Sequence, residues 1–435
     1  MVDAMEIKII SLITVFLFLF SVCFPYIQGE QASSGNITSL SDNEPLGNIH
    51  YIYASDPYDY GFKVGRTYRP LFTFFNILSL FSTKNKIIEK EGENQLLYLK
   101  ESCPIFYEEF KGLSDGLDIK IERLSNIAYF ISSNFCGECT ATTCTGKATK
   151  NNKTFLTFNI DPSLDNLKQF FSAFLFHRII SYKFWVVRIA TLRYSYAFFG
   201  IPILYELPIL NEKGLGWGSP GTIFTDNKSK IDEGPGIPTT MLERLTMMTC
   251  KNVSEAANLW NNMQRANQKD YSWSNVYDAS TEVFCDKEGG IVVIEQTHSY
   301  IISAFRNSTD ITGGSEDILW HANHHIWLDP NLTGSVLPDE YMESFYRNER
   351  AHELLEENYG NITLETCKEI CRDHGGGTNR NEKDSSDICR HPDKNATKLT
   401  AYAWIIEPKE MTVYWTHRSP CNSRFIKKDF SDVFR

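Results

Sequence analysis

Residues 135–161 read FCGECTATTCTGKATKNNKTFLTFNID. CTATTC and TFLTFNI are runs of small, β-branched and aromatic residues, which suit a pleated surface. KNNK between them has turn composition, so the stretch is expected to be a β-hairpin. Cys139 opens the first strand and Asp161 ends the second. Taken singly, Cys139 reads as a structural cysteine, bridged to Cys136 or Cys144. Asp161 at a strand end reads singly as a turn or cap residue.

The chemical alternative starts from the thiol. It is a good nucleophile only as thiolate, and its ordinary pKa is about 8.5, so it needs a base. An α-amino group titrates at about 7.7–8.0 and is partly neutral near pH 7. If the bond between Glu138 and Cys139 is cut, Cys139 carries nucleophile and base on one residue, as N-terminal threonine enzymes do. The cut can be self-made. The Cys139 thiol attacks the Glu138 carbonyl, an N-to-S acyl shift follows, and water releases the new terminus.

Working outward, residues 49–135 are mainly helical in pattern, with apolar spacings of three and four in YGFKVGRTYRPLFTFFNILSLF and NQLLYLKESCPIFYEEFKGLSDGLD. Gly112 and Gly116 punctuate the end of the second helix, and residues 120–133 form a third. Beyond the hairpin, residues 164–210 are long apolar stretches interrupted by Arg178, Lys183, Arg188 and Arg193. Those charges favour buried helix and strands over membrane insertion. The aromatic-rich part, 170–207, is also a candidate acyl-binding wall or membrane- and lipid-contact surface. GIPTTMLERLTMMTCKNVSEAANLWNNM reads as two helices, the second capped by Asn252 or Ser254 with Glu255 in its first turn. Strands follow, then a charged helix (SFYRNERAHELLEENYG) and a final hairpin turning at Pro408-Lys409. Helices first, then strands with intervening helices, predict an α+β protein.

Residues 9–24 (IISLITVFLFLFSVCF) are uncharged and short for a spanning helix, which needs roughly 20 residues. They suit a signal peptide over residues 1–29, although Asp3 and Glu6 outnumber Lys8 before them; an uncleaved anchor is the alternative. Sequons at Asn36, Asn152, Asn227, Asn252, Asn307, Asn331, Asn361 and Asn395 suit an exported glycoprotein, secreted or in the endolysosomal lumen. An oxidising compartment permits disulfides among Cys103, Cys136, Cys144, Cys250, Cys285, Cys367, Cys371, Cys389 and Cys421, with pairing open. Hydrophobic residues are 42% and charged residues 22% of the chain, so it is globular. A net charge of -11 with no long basic block excludes a nucleic-acid surface.

In order, DPYDYGFKVGRTYRP, ESCPIFYEEFKGLSDGLDI, ECTATTC, FNID, NEKGLGWGS, GIPTTMLERL, HANHH, SFYRNERAHELL, DICRHP and EPKEMTVYWTHRSPC resemble the isopenicillin-N acyltransferase-like family of Ntn hydrolases. The resemblance runs from Asp56 to Cys421. It implies a four-layer αββα sandwich with a helical N-terminal pro-region, and amide hydrolysis or acyl transfer on a small acyl amide or peptide. No cofactor and no metal are implied. Together with the uncharged N-terminal run and the Ser-, Asn- and Gly-rich stretch after it, this divides the chain into a signal peptide (1–29), a flexible leader (30–48), a helical pro-segment that stays as small subunit (49–138) and a catalytic chain (139–435). Cys139 matches the nucleophile and Asp161 the holder of the new amino terminus. Asn323 matches the side-chain amide of the oxyanion hole, and Arg390 matches an active-site arginine; alone, Arg390 would simply anchor a loop. Glu138 departs from the family, which often has glycine there. A carboxylate beside the thiol raises its pKa, and a side chain restricts a strained scissile bond, so processing is expected to be slow or done by another protease.

Two other functions remain open at this point: a catalytically inactive glycoprotein of the same fold that works by binding, and a lysosomal-type lipid amidase. His321, His324 and His325 suggest a metal, but they lack HExxH spacing and strand neighbours face opposite ways. Arg347 and Arg350 on the charged helix are expected to be solvated or ion-paired.

Overall fold

The computed structural model describes residues 49–80, 93, 96–124, 137–162, 184–203, 205–223, 232, 234–266, 276–334, 342–375, 386–391 and 399–434. The expected signal peptide and leader lie outside these residues. So do residues 125–133 of the expected third helix and residues 164–183 of the apolar stretch.

The described residues begin with strand β1 (Ile49–Ala54), then helices α1 (Pro57–Leu80) and α2 (Pro104–Leu117). The expected hairpin is β2 (Gly137–Cys144) and β3 (Phe155–Pro162), paired from Gly137↔Pro162 to Cys144↔Phe155. Next come β4 (Phe184–Ile189), β5 (Tyr196–Ile201), β6 (Tyr205–Asn211), β7 (Leu215–Gly218) and β8 (Gly221–Ile223). Helices α3 (Thr239–Thr249) and α4 (Val253–Asn262) precede β9 (Val276–Asp286), β10 (Ile291–Gln296), β11 (Ile301–Phe305) and β12 (Ile318–His321). Helices α5 (Glu343–Glu357) and α6 (Leu364–Arg372) lead to β13 (Tyr402–Glu407), β14 (Thr412–Trp415) and β15 (Ile426–Asp429).

The strands form two large sheets. One is nine-stranded, in the order β1-β4-β5-β6-β7-β9-β10-β11 with β8 also on β9. The other is six-stranded, in the order β12-β2-β3-β13-β14-β15. The sheets face each other through aromatic contacts: Phe158 meets Trp217 at 6.0 Å between ring centroids, and Phe184 meets Trp415 at 5.0 Å. Helices α3 and α4 pack on the first sheet, α5 and α6 on the second. The protein is therefore a mixed helix-and-sheet structure whose core lies between and around the two sheets.

Two expectations are corrected. Residues 49–54 are not helical: alternating β-branched and aromatic residues put them in a strand, parallel to β4 from Ile49↔Phe184 to Ala54↔Ile189. Gly112 and Gly116 do not end a helix. They lie inside α2, where α1 crosses so closely that a Cβ on Gly112 would sit 1.9 Å from the Tyr58 carbonyl oxygen. The helix ends instead at Asp118, in the left-handed conformation. Within the described part of 170–207, the rings of Phe184, Trp185, Phe198 and Phe199 are at most 1% exposed and belong to the core.

Asn252 caps α4, its side chain accepting from Glu255 N at 2.9 Å. Among the described sequons Asn152, Asn307, Asn331 and Asn361 are exposed. No described helix is long and apolar enough to cross a membrane.

Candidate active site

The hairpin register brings Glu138 opposite Asp161, and Cys139 opposite Ile160. The Glu138–Cys139 bond thus lies inside β2, with β3 on one side. On the other side β12 pairs with β2 only up to His321↔Ala141. The chain leaving β12 then carries Asn323 alongside Cys139. The Cys139 N–H donates to Asn323 Oδ1 at 3.0 Å.

Helix α5 supplies the central cation. Arg347 Nη1 donates to the Cys139 carbonyl oxygen at 2.8 Å and to Thr140 Oγ1 at 2.7 Å. Its Nη2 donates to Asn323 Oδ1 at 2.8 Å and lies 3.4 Å from Glu138 Oε2. Two donors on Oδ1 set the amide's orientation, so Asn323 Nδ2, the expected oxyanion donor, points away and donates to Gly221 O at 2.7 Å. Ser344 on the same helix face accepts from Asn323 N at 2.8 Å.

Arg390 closes the ring. Its Nη1 donates to Glu138 Oε2 at 2.5 Å. Its backbone N–H donates to Thr400 Oγ1, and that hydroxyl donates to Asp161 Oδ1 at 2.7 Å. Asp161 Oδ2 and Arg347 Nε, both buried, have no hydrogen-bond partner among the described residues. The five residues singled out from the sequence are all drawn into one buried cluster: Cys139 is 6% exposed, Asp161 and Asn323 0%, Arg390 4% and Glu138 7%.

Burial is the largest effect on the Cys139 thiol and pushes its pKa well up; the Asp161 carboxylate adds to this, as does Glu138. The Asp161 backbone N–H and Arg347 oppose it without prevailing. Burial likewise raises Asp161, against the pull of Arg347 and Arg390. In the uncut chain the thiol is neutral near pH 7 and shielded from solvent.

Sequence reasoning missed Arg347, expected to be solvated or ion-paired; it is 0% exposed and contacts four groups of the cluster. The available signal was helical spacing. Ser344, Arg347, Asn348, Ala351 and Leu355 share the buried face of α5, so Arg347 and Asn348 occupy stripe positions that apolar residues would normally fill. Two histidines of HANHH are held by hydrogen-bonding neighbours. His321 Nδ1 donates to Ala322 O, its Nε2 lies 2.7 Å from Glu295 Oε1, and His324 Nδ1 lies 2.9 Å from Ser344 Oγ. A surface cleft lined by Phe62, Arg66 and Asp115 lies on α1 and α2 and holds none of the cluster residues.

The sequence matches no family model and no curated protein. Solved structures do match. Penicillin V acylase from Agrobacterium tumefaciens aligns at 11% identity and a TM-score of 0.39, covering 68% of this chain and 87% of that one. A single-site mutant of conjugated bile acid hydrolase from Clostridium perfringens aligns at 14% identity and 0.37, covering 66% and 92%. A penicillin G acylase from Alcaligenes faecalis aligns at 8% identity and 0.30, covering 56% of this chain and 52% of that one. Likenesses this weak decide neither activity nor substrate.

Proposed function

We propose that this chain is an Ntn hydrolase of four-layer αββα architecture that cuts itself between Glu138 and Cys139 and then hydrolyses or transfers an amide-linked acyl group. One observation carries the reading: the backbone nitrogen that a cut would turn into the α-amine is already gripped by Asn323 Oδ1, in a pocket with two buried arginines and an unpartnered carboxylate oxygen. After the cut that amine takes the thiol proton, because no histidine contacts Cys139 among the described hydrogen bonds. The thiolate attacks the substrate carbonyl, the amide C–N bond breaks as the α-ammonium returns its proton to the leaving amine, and water or an acceptor amine then removes the acyl group from the thioester. Asp161 Oδ2 receives the ammonium. Arg347, donating to the Cys139 carbonyl, keeps the nucleophile's main chain in register. Arg390, freed when the cut end at Glu138 swings out of the site while the rest of its segment stays bound, meets an anionic group of the substrate. Asn323 Nδ2 serves an oxyanion once its bond to Gly221 O is exchanged.

The segment before Cys139 remains bound as a small subunit. It supplies β1 to the nine-stranded sheet, and Glu109 on α2 forms a buried ion pair with Arg244 on α3 at 2.6 Å. Export, through residues 1–29, completes the reading and favours hydrolysis over transfer.

The Glu138–Arg390 pair also supports a second reading, in which the chain stays whole and works by binding. Intact-mass analysis of purified, deglycosylated protein separates the two. A chain of Cys139–Arg435 beginning with free cysteine, absent from Cys139→Ala, supports self-cleavage. Wild-type protein that labels with acyl donors while residues 138 and 139 remain joined overturns it. Activity on long-chain N-acyl lipids at acidic pH would mark a lipid amidase, and preference for short polar amides would count against that substrate class.

A further inference from the structure

A second cluster lies behind Arg390. His374, Cys389, His391 and Cys421 bring two imidazole nitrogens and two sulfurs within 4.8 Å of one another. His391 Nε2 is 3.0 Å from Cys421 Sγ and 3.8 Å from Cys389 Sγ. The rings of His374 and His391 stack with centroids 5.1 Å apart. Zinc–sulfur bonds of about 2.3 Å and zinc–nitrogen bonds of about 2.0–2.1 Å place the ligand atoms of a tetrahedral ion about 3.3–3.8 Å apart. The two sulfur–nitrogen distances at His391 bracket that spacing.

We propose that His374, Cys389, His391 and Cys421 form a zinc site. Two thiolates and two imidazoles are a donor set that selects zinc among the divalent metals common in cells. Binding expels the two thiol protons, leaving a neutral four-coordinate centre. The competing state is a Cys389–Cys421 disulfide, but both sulfurs are unbridged in the structure and His391 faces both. A disulfide would give neither imidazole anything to bind.

The scaffold is built without the ion. The ligands come from three segments: the chain just after α6, residues 389–391, and the 3-10 turn Pro420–Asn422. Cys389 N donates to Asp373 O at 2.8 Å, and Arg372 Nε to Pro420 O at 3.1 Å. Arg350 holds Asp373 through both carboxylate oxygens. Arg390 lies between two ligands and reaches Glu138. A zinc ion there clamps the segment that carries Arg390, so metal loading positions Arg390 without touching it.

The test uses the full chain, and its metal readout does not depend on whether Cys139 is a nucleophile. After dialysis, metal analysis should give one equivalent of zinc per chain. Cobalt exchange should give the visible bands of a tetrahedral thiolate–imidazole site. Cys421→Ala and His374→Ala should each lose the cobalt spectrum, and the wild-type spectrum stands as the readout if either fails to fold. Zinc-free protein with Cys389 and Cys421 peptides joined by a disulfide overturns the proposal, as does metal content unchanged in both variants. Stripping zinc should lower Tm and weaken any Arg390-dependent step, while Arg390→Lys leaves metal content at wild-type level.

Discussion

Two buried charged clusters, of similar chemistry, are finished to different degrees. Around Arg244 the guanidinium forks onto Glu109 at 2.8 and 2.6 Å and meets Glu206 at 2.9 Å. Glu206 also accepts from Tyr60, Tyr196 and the Ile203 N–H. No polar atom of Arg244, Glu109 or Glu206 is buried without a partner. Around Cys139, by contrast, Asp161 Oδ2 and Arg347 Nε are unpartnered and the thiol is held neutral. A cluster that only joins elements is best saturated, because an unpaired buried group costs stability. A cluster with open positions keeps capacity for charge that appears later, as a liberated amine or a bound substrate.

The sharpest break of this comparison is Cys139→Ala. It should abolish both processing and acyl labelling, read by intact mass, yet fold with near-wild-type stability. The arginines separate next, measured by denaturant unfolding in the Cys139→Ala background. Arg244→Met strands two buried carboxylates and should cost about 3–5 kcal/mol. Arg347→Met leaves Glu138 still paired with Arg390 and should cost less, about 1.5–3 kcal/mol, while halting processing when placed in the otherwise wild-type chain. Equal stability losses and normal processing in Arg347→Met would erase the distinction.

Glu295 gives the pH test. Burial alone would raise its pKa. The His321 bond, the nearby histidines and the N–H of Ile326 outweigh this and hold it at about 2, from 4.5. A depressed carboxyl contributes stability above its unfolded pKa and loses it as pH falls through the folded one. Wild-type stability should therefore drop by about 2–3 kcal/mol between pH 4.5 and 2, and Glu295→Gln should flatten that slope. His325, lowered to about 4 by burial, adds a loss beginning below pH 6.5, because the unfolded state takes up its proton first.

Smaller effects sharpen the reading of Glu138. Replacing it with glycine removes one carboxylate beside the thiol and relaxes the scissile backbone, and processing should quicken by about tenfold, the equivalent of one pKa unit. A slower cut would mean that the Glu138–Arg390 pair aligns the bond. Smallest, Asn252→Ala should cost about 1 kcal/mol through the lost cap of α4, seen as a modest fall in Tm.

Much of this was legible in the chain itself. The hairpin at Cys139 follows from β-forming runs around KNNK, and α4 from Asn252 and Glu255, because strand alternation and caps are local physics. The strand at residues 49–54 was not, since its partner β4 lies far along the sequence and supplies most of its reason to be extended. The burial of Arg347, expected to be solvated or ion-paired and in fact paired with Glu138, was hidden for a similar reason. A charged residue on a charged helix is ordinarily solvated, and only the arrival of β2 and Asn323 at that face makes burial worthwhile.

From the amino acids alone came the hairpin, the mixed α and β character and the nucleophile candidate with its carboxylate two strands' length away. Tertiary structure alone decided that Arg347 grips both Cys139 and Asn323, that Glu138 lies between two guanidiniums, and that His374 and Cys421 meet across three segments. The reason is range. Local propensity acts over a few residues, whereas a buried charge or a ligand sphere is completed only by groups that folding brings from far apart.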